Sequence, residues 1–457
     1  MDYTEVSDLN KGPVNRHILR LSLPTMIGML LQAVYDLVDM VWIGFISPSA
    51  IAAATLFSTF FWMIEVLNEI VGTSSVALIS QSHGAGDKER TVRIAEQTLV
   101  FKFVVAVLGM IVLGLSLRQL FGIFTSDAQV VKYGMDYGLI RVLFLPIFFS
   151  SYSVNTIFRC TGDAKTPMRL LIGSAILNMI ADPFLMFKTI PGTAIPGLGL
   201  GMKGAAFATV GSISVAFIVG FVLLLRGKGP IRITFSHLFH LDWTVARRLF
   251  AIGLPSGFTL LFRNLSITLF LKMVALYGTD AIAVAGISFR LYSFGMMPGW
   301  GLTMGSGIVI GHSIGAKKPQ RAKEAVRLTT IDCLLFISVL ALPILIFPKT
   351  MLSLFMGGAQ VPTEGVSLIR IIACAIFIGA GMSGMGAAFT GAGKNRPLLY
   401  ASLVGQWGFL VPLSLLVTLW LSAPVFWLWM TLLIGDAAEM IVRWYLYRKT
   451  NWIESHV

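Results

Sequence analysis

The chain repeats itself inside its apolar segments. Leu23-Pro24, Ala50-Ile51-Ala52, Ser82, Gly84-Ala85 and Arg90 recur 231 positions later as Leu254-Pro255, Ala281-Ile282-Ala283, Ser313, Gly315-Ala316 and Arg321. Lipid offers no partner to a backbone N–H or C=O, so long apolar segments of this kind must close their hydrogen bonds as helices. A helical bundle present in two copies places its ligand near the repeat interface and moves one copy against the other, which is the logic of a carrier. The chain is 56% hydrophobic and 12% charged with a mean hydropathy of +0.81, too much apolar surface for one soluble core. Its 45 Gly and 21 Met suit close helix packing in a bilayer.

Apolar runs of span length fall at about 18–46, 50–82, 95–121, 130–158, 167–188, 203–225, 248–277, 281–312, 326–355, 364–391, 397–421 and 424–447. The first 17 residues are polar and the first run is long enough to span, so a retained helix is expected rather than a cleaved signal peptide. Alternate loops carry 24 Lys and Arg on one side, that of both termini, against five on the other, Arg118, Lys132, Lys188, Lys203 and Lys349. The positive-inside rule makes the termini cytoplasmic in a multi-pass protein of the plasma (inner) membrane. It also accounts for the net charge of +13 without a nucleic-acid partner. The polar connection at about 226–247 divides the chain into lobes 1–228 and 229–457. A second echo, Thr161-Gly162-Asp163-Ala164-Lys165-Thr166-Pro167 against Thr390-Gly391-Ala392-Gly393-Lys394-Asn395-Arg396-Pro397, supports that division. The predicted fold is all-α, twelve transmembrane helices in two pseudo-symmetric six-helix lobes.

Ionisable groups inside spans are expensive and mark function. The first lobe has Asp36 and Asp39 in helix one, Glu65 and Glu69 in helix two, and Asp182 in helix five. Asp39 and Asp182 fall at similar depth by helical rise and could share a site. Asn178, four residues before Asp182, lies on the same face. Two neighbouring acids can hold one proton between them. A Na⁺ would draw instead on the oxygens of Asp39, Asn178, Asp182 and Thr209. The second lobe has the opposite sign, with Arg263 and Lys272 in helix seven and Arg290 in helix eight, while Phe270 stands at the position of Asp39. Glu65 and Glu69 are therefore expected either to pair with Arg290 or to attract a cationic substrate. Met63, Tyr292 and Met296 supply adaptable surface on the same two helices. Cys160, Cys333 and Cys374 have no ligand spacing and are read as packing residues.

Leu23-Pro24, Gly72-Thr73-Ser74-Ser75, Arg159-Cys160-Thr161-Gly162-Asp163, Asn178-Met179-Ile180-Ala181-Asp182-Pro183 and Gly204-Ala205-Ala206-Phe207-Ala208-Thr209, in this order across nearly the whole chain, resemble the multidrug and toxic compound extrusion (MATE) transporters. Tyr35-Asp36-Leu37-Val38-Asp39 with the Asn178/Asp182 pair is most similar to the DinF-like branch. The resemblance implies a V-shaped pair of lobes that exports organic cations or amphipathic compounds in exchange for H⁺ or Na⁺. It adds Asn155 and Tyr35 to the ion-coupling set, and implies a monomer, small organic substrates and no cofactor beyond the coupling ion. The turn at Arg159-Cys160 departs from the family, where Gly commonly follows the Arg. Glu65 and Glu69 lie outside the motif that is carried over. Pro24 and Pro255, at matched positions, each remove a helix hydrogen bond and are read as hinges.

Two other readings stay open. A lipid-linked oligosaccharide flippase of the same wider superfamily would favour a basic cavity, which Arg263, Lys272 and Arg290 suggest; twelve runs rather than fourteen and the acidic first lobe oppose it. A membrane-embedded lipid enzyme would need a nucleophile or His-rich constellation, which the spans lack. Gly84-Ala85-Gly86 is not a phosphate loop, so an ATP-driven pump is not expected.

Overall fold

The computed structural model describes residues 9–234, 242–356 and 363–454; residues 235–241 of the predicted connection lie outside the described residues. The helices are α1 (Val14–Gly44), α2 (Pro48–Gly84), α3 (Lys88–Phe124), α4 (Ala128–Leu143), α5 (Leu145–Cys160), α6 (Lys165–Met186) and α7 (Met202–Leu225). Then follow α8 (Trp243–Ala275), α9 (Thr279–Gly315), α10 (Pro319–Ile346), α11 (Pro348–Met356) and α12 (Thr363–Ala392). α13 (Arg396–Ser402) runs on through π-helical turns to Trp420, and a terminal helix covers Val425–Lys449. Among the described residues, eleven helices are long and apolar enough to cross a membrane, or twelve when α4 and α5 count as one span bent by 50°. The bend falls at Phe144 before Pro146, inside the predicted run 130–158. The predicted run 326–355 likewise ends early, because Pro348 starts a separate short helix.

Two compact units result, Ile27–Gly253, and Leu9–Met26 together with Leu254–Val457. The division falls at Gly253 rather than at 228. It also cuts α1 two residues after Pro24 and α8 just before Pro255, so the first part of each helix belongs to the unit of the other half. Close approach explains the assignment. A Cβ on Gly305 of α9 would stand 2.2 Å from the Ser22 Oγ and 3.0 Å from its backbone N. In the other unit, a Cβ on Gly253 of α8 would stand 1.7 Å from the Ile70 carbonyl of α2. Ser22 and Gly253 are themselves 231 positions apart.

The duplication holds bond by bond. Ser75 Oγ donates to Thr98 Oγ1 (3.3 Å) between α2 and α3, and Thr329 Oγ1 donates to Ser306 Oγ (2.6 Å) between α9 and α10. Asp163 N–H reaches the Phe158 carbonyl (2.9 Å), and Lys394 N–H reaches that of Phe389 (3.0 Å). These bonds, and the left-handed Gly162 and Gly393 between them, keep the 231 offset. The turn is therefore aligned by its left-handed glycines, not by the Thr-Gly pairs that look alike in sequence.

The chain entering each crossing helix is tied to the helix pair it joins. Arg321 donates to the carbonyls of Leu9 (2.8 Å) and Gly12 (2.8 Å), and Lys318 to that of Asn10 (2.9 Å). Ahead of α8, Asp242 accepts from Thr244 N–H (2.9 Å) and from Arg93 Nε (3.0 Å), and its own N–H donates to Gln97 Oε1 (2.7 Å). The Arg93 hydrogen bond holds the Asp242 carboxyl below the usual carboxylate range.

Two predictions follow the turn and the cap. Gly86 has φ +79° and its counterpart Lys317 has φ +55°, a conformation that costs a side chain about 1–2 kcal/mol. Lys317→Gly should raise, and Gly86→Ala lower, the thermal stability of detergent-purified protein, by about 1 kcal/mol or less. Asp242→Ala should lower it by about 1 kcal/mol. The wild-type contribution is present above the ordinary carboxyl value and lost as pH falls through the lowered one, so the gap between Asp242→Ala and wild type should close on acidification.

Candidate functional site

Helical spacing in α1 separates two adjacent acids. Tyr35 and Asp39, one turn apart, are buried, whereas Asp36 is exposed and accepts from Gln32 Nε2 at 3.1 Å. α4 brings Tyr137 and Arg141, also one turn apart, to Asp39: Tyr137 Oη lies 3.5 Å from Asp39 Oδ2 and accepts from Arg141 Nη1 at 2.7 Å. An edge-on contact with Phe57 (ring centroids 5.4 Å) fixes Tyr137, and the Arg141 guanidinium lies 5.1–5.4 Å from the Phe57, Phe61 and Tyr137 rings. Arg141 is thus a cation held by aromatic faces and linked to Asp39 through one hydroxyl.

α6 supplies the other side. With its amide turned to satisfy both ends, Asn178 donates to Asp182 Oδ2 (3.0 Å) and accepts from the backbone N–H of Thr209 on α7 (3.1 Å). The Thr209 hydroxyl is used within α7, donating to the Ala205 carbonyl at 3.0 Å. The Asp39 carboxylate acts electrostatically on Asp182. Asn155 is buried on α5 outside this hydrogen-bonded set. One atom of the set is left over: Asp39 Oδ1 is buried with no hydrogen-bond partner.

Glu65 and Glu69 find their neighbours within the same unit. Glu65 accepts from Asn68 Nδ2 (2.8 Å), Glu69 from Thr73 Oγ1 (2.6 Å), and Lys102 of α3 acts on both carboxylates. Met63 is exposed on another face of α2, two residues before Glu65.

In the second unit Arg263 is matched by an acid. Glu439 of the terminal helix, 0% exposed, pairs with Arg443, accepts from Gln406 Nε2 (3.4 Å) and lies 4.0 Å from Arg263 Nη1. The π-helical stretch Leu403–Leu410 carries Gln406, whose Oε1 accepts from Ser266 Oγ at 2.9 Å. Arg263 also reaches Tyr292 Oη at 3.4 Å. Lys272 and Arg290 are exposed, and Met296 is buried against Gly379 of α12 as a packing residue. Phe270, at the place of Asp39, packs between Phe289 and Trp429 at 6.1 Å.

Sequence reasoning passed over Tyr137, Arg141, Lys102, Gln406 and Glu439. For the four charged or amide groups among them the signal was available, since each is a polar group inside an apolar run.

Comparison with known proteins is consistent along the chain. The MatE family profile matches residues 24–184 and 255–416, two stretches that begin at Pro24 and Pro255. A Bacillus subtilis chain described as "Probable multidrug resistance protein YoeA" is 25% identical over 423 residues, 92% of this chain and 90% of the relative. The "Multidrug export protein MepA" of Staphylococcus haemolyticus is 24% identical over 393 residues, covering 85% and 82%. An "FAD transporter" of Shewanella oneidensis is 26% identical over 370 residues, covering 80% of each. Among solved structures, an outward-facing multidrug resistance MATE family transporter superposes with TM-score 0.88 over 98% of both chains at 23% identity, which shows the shared fold.

The buried ion pair gives a test of stability. Glu439→Leu alone takes the acid from both Arg443 and Arg263 and should cost about 3–5 kcal/mol, whereas Glu439→Leu with Arg443→Met should recover the part due to Arg443, the closer of the two, and leave the part due to Arg263. Thermal unfolding of the three proteins in one detergent measures both.

Proposed function

The chain belongs to the MatE family of membrane transporters, and on that premise we propose that it is a secondary active antiporter exporting organic cations or amphipathic compounds in exchange for H⁺, by alternating access. The observation that carries this reading is the orphan Asp39 Oδ1 inside a buried set that also holds Asp182 and Arg141. Capture of a proton there cancels a buried charge. Loss of the proton leaves a carboxylate that Arg141 balances through Tyr137. The site therefore supports two protonation states, each with its own partners, as a coupling group requires.

Na⁺ is less well served. It would need several oxygens, yet the Asn178 carbonyl accepts from Thr209 N–H, and the neighbouring Arg141 already supplies a positive charge. The names of the relatives, multidrug export among them, support a broad organic substrate range. The flippase reading draws less support, because Glu439 offsets Arg263. The same proposal includes a plasma (inner) membrane monomer with both termini cytoplasmic. Pro24 and Pro255 are its hinges, since α1 and α8 change units beside them.

Efflux of ethidium from proteoliposomes under separately imposed pH and Na⁺ gradients tests the proposal. The pH gradient alone should drive export in wild type, and Asp39→Asn should reduce it at least about tenfold. Export driven by Na⁺ alone would reject H⁺ coupling, and Pro24→Ala with full export would reject the hinge.

A further inference from the structure

Besides the aspartate site, the first unit holds a second charge cluster, partly buried, that the coupling reaction does not use. Glu65, Asn68, Glu69 and Gly72 follow one another at i, i+3, i+4 and i+7, one face of α2. Lys102 of α3 faces them, 1% exposed. Its Nζ lies 3.8 Å from where a Gly72 Cβ would be and 5.7 Å from the centre of the Tyr152 ring of α5. Tyr152 and Arg159 of α5 and Asp36 of α1 complete the charged and titratable surroundings.

The cluster is not a closed ion pair. Among the described residues the Lys102 ammonium makes no ion pair within 4.0 Å, although it acts on both glutamates. Glu65 Oε2 and Asn68 Oδ1 are buried without a hydrogen-bond partner, and Asn68 is only 5% exposed. Glu69, by contrast, is exposed. Unused acceptors at the buried end and a reachable carboxylate at the other describe a place to receive a cation, with a protein cation standing off from it.

The second copy of the repeat is an internal control. The Ser75–Thr98 and Thr329–Ser306 bonds fix the same register between the two helix pairs. In that register Met296, Gly299, Trp300 and Cys333 stand where the first copy has Glu65, Asn68, Glu69 and Lys102. Cys333 Sγ packs 4.0 Å from the Gly299 carbonyl. The helix–helix contact is thus built in the second unit with no charge at any of these four positions. Buried charge is dispensable for this packing and calls for another reason.

We propose that Glu65, Asn68 and Glu69 bind the positively charged head group of an organic cation, and that Lys102 is a tethered cation competing for the same carboxylates, which the substrate displaces. This deepens the export reading and rests on it. A resident cation keeps the site balanced when no substrate is present and keeps substrate binding weak enough for release. The Tyr152 ring, already beside Lys102, offers a π face to either cation.

The test is equilibrium binding of ethidium to purified protein in detergent, without a gradient, for wild type and for variants at 102, 65 and 69. Lys102→Met should tighten the dissociation constant about tenfold by removing a nearby like charge, and Lys102→Arg should stay close to wild type. Glu65→Gln with Glu69→Gln should abolish the gain when combined with Lys102→Met. Unchanged or weaker binding in Lys102→Met, or a gain that survives loss of both carboxylates, overturns the proposal. Lys102→Cys, the residue of the second copy, is the variant to use if Lys102→Met does not fold; failure of both to fold assigns Lys102 to structure and overturns the proposal as well. Wild type that exports ethidium while all variants bind alike sinks only this inference. Wild type that neither exports nor binds it sinks the cation-export reading too.

Discussion

A charge moved out of water must be met by another charge, a hydrogen bond or a π face, and this requirement organises the interior of both units. In the first unit, Arg141 is held by three aromatic rings and a tyrosine hydroxyl, and Asp182 by the Asn178 amide. In the second, Glu439 meets two arginines and a glutamine. Groups so fully engaged hold helices in register. Asp39 Oδ1, Glu65 Oε2 and Asn68 Oδ1 are among the buried atoms left without a partner, and they belong to charged clusters of the first unit, where chemistry rather than architecture is expected.

Duplication separates the two roles further. Where both copies keep the same residues, as in the Ser75–Thr98 and Thr329–Ser306 hydroxyl pairs, the contact is structural and is conserved to the hydrogen bond. Where the copies differ, one of them shows what the fold alone requires. Phe270 in an aromatic pocket stands for Asp39, and Cys333 against a glycine carbonyl stands for Lys102. The first unit carries acids at positions that the second fills with apolar side chains, so the helix packing itself does not need those charges.

Much of this was legible in the sequence because lipid leaves a chain few options. Apolar run length gave the spans, and the 231-residue repeat gave the halves. Helical spacing put Asn178 and Asp182 on one face. Three features were hidden. The bend between α4 and α5 arises from one residue, Phe144, ahead of Pro146 inside an unbroken apolar run. The exchange of the first parts of α1 and α8 depends on tertiary close approach at Gly253 and Gly305, which resemble any other membrane glycines in sequence. Arg141 was marked by its charge inside an apolar run, but its role and that of Tyr137 were hidden, because they arise from the rings and the carboxylate that tertiary structure brings around them.

The exchanged helix ends bear on how the protein is made. Leu9–Met26 is synthesised well before the unit it belongs to, whose remaining residues begin at Leu254. At roughly 5–20 residues per second, that segment waits on the order of 10–50 s for its partners to be synthesised. The chain before α1 is polar and the helix itself is apolar enough to stay in lipid, so the wait can be spent in the bilayer. Neither half can complete its packing alone.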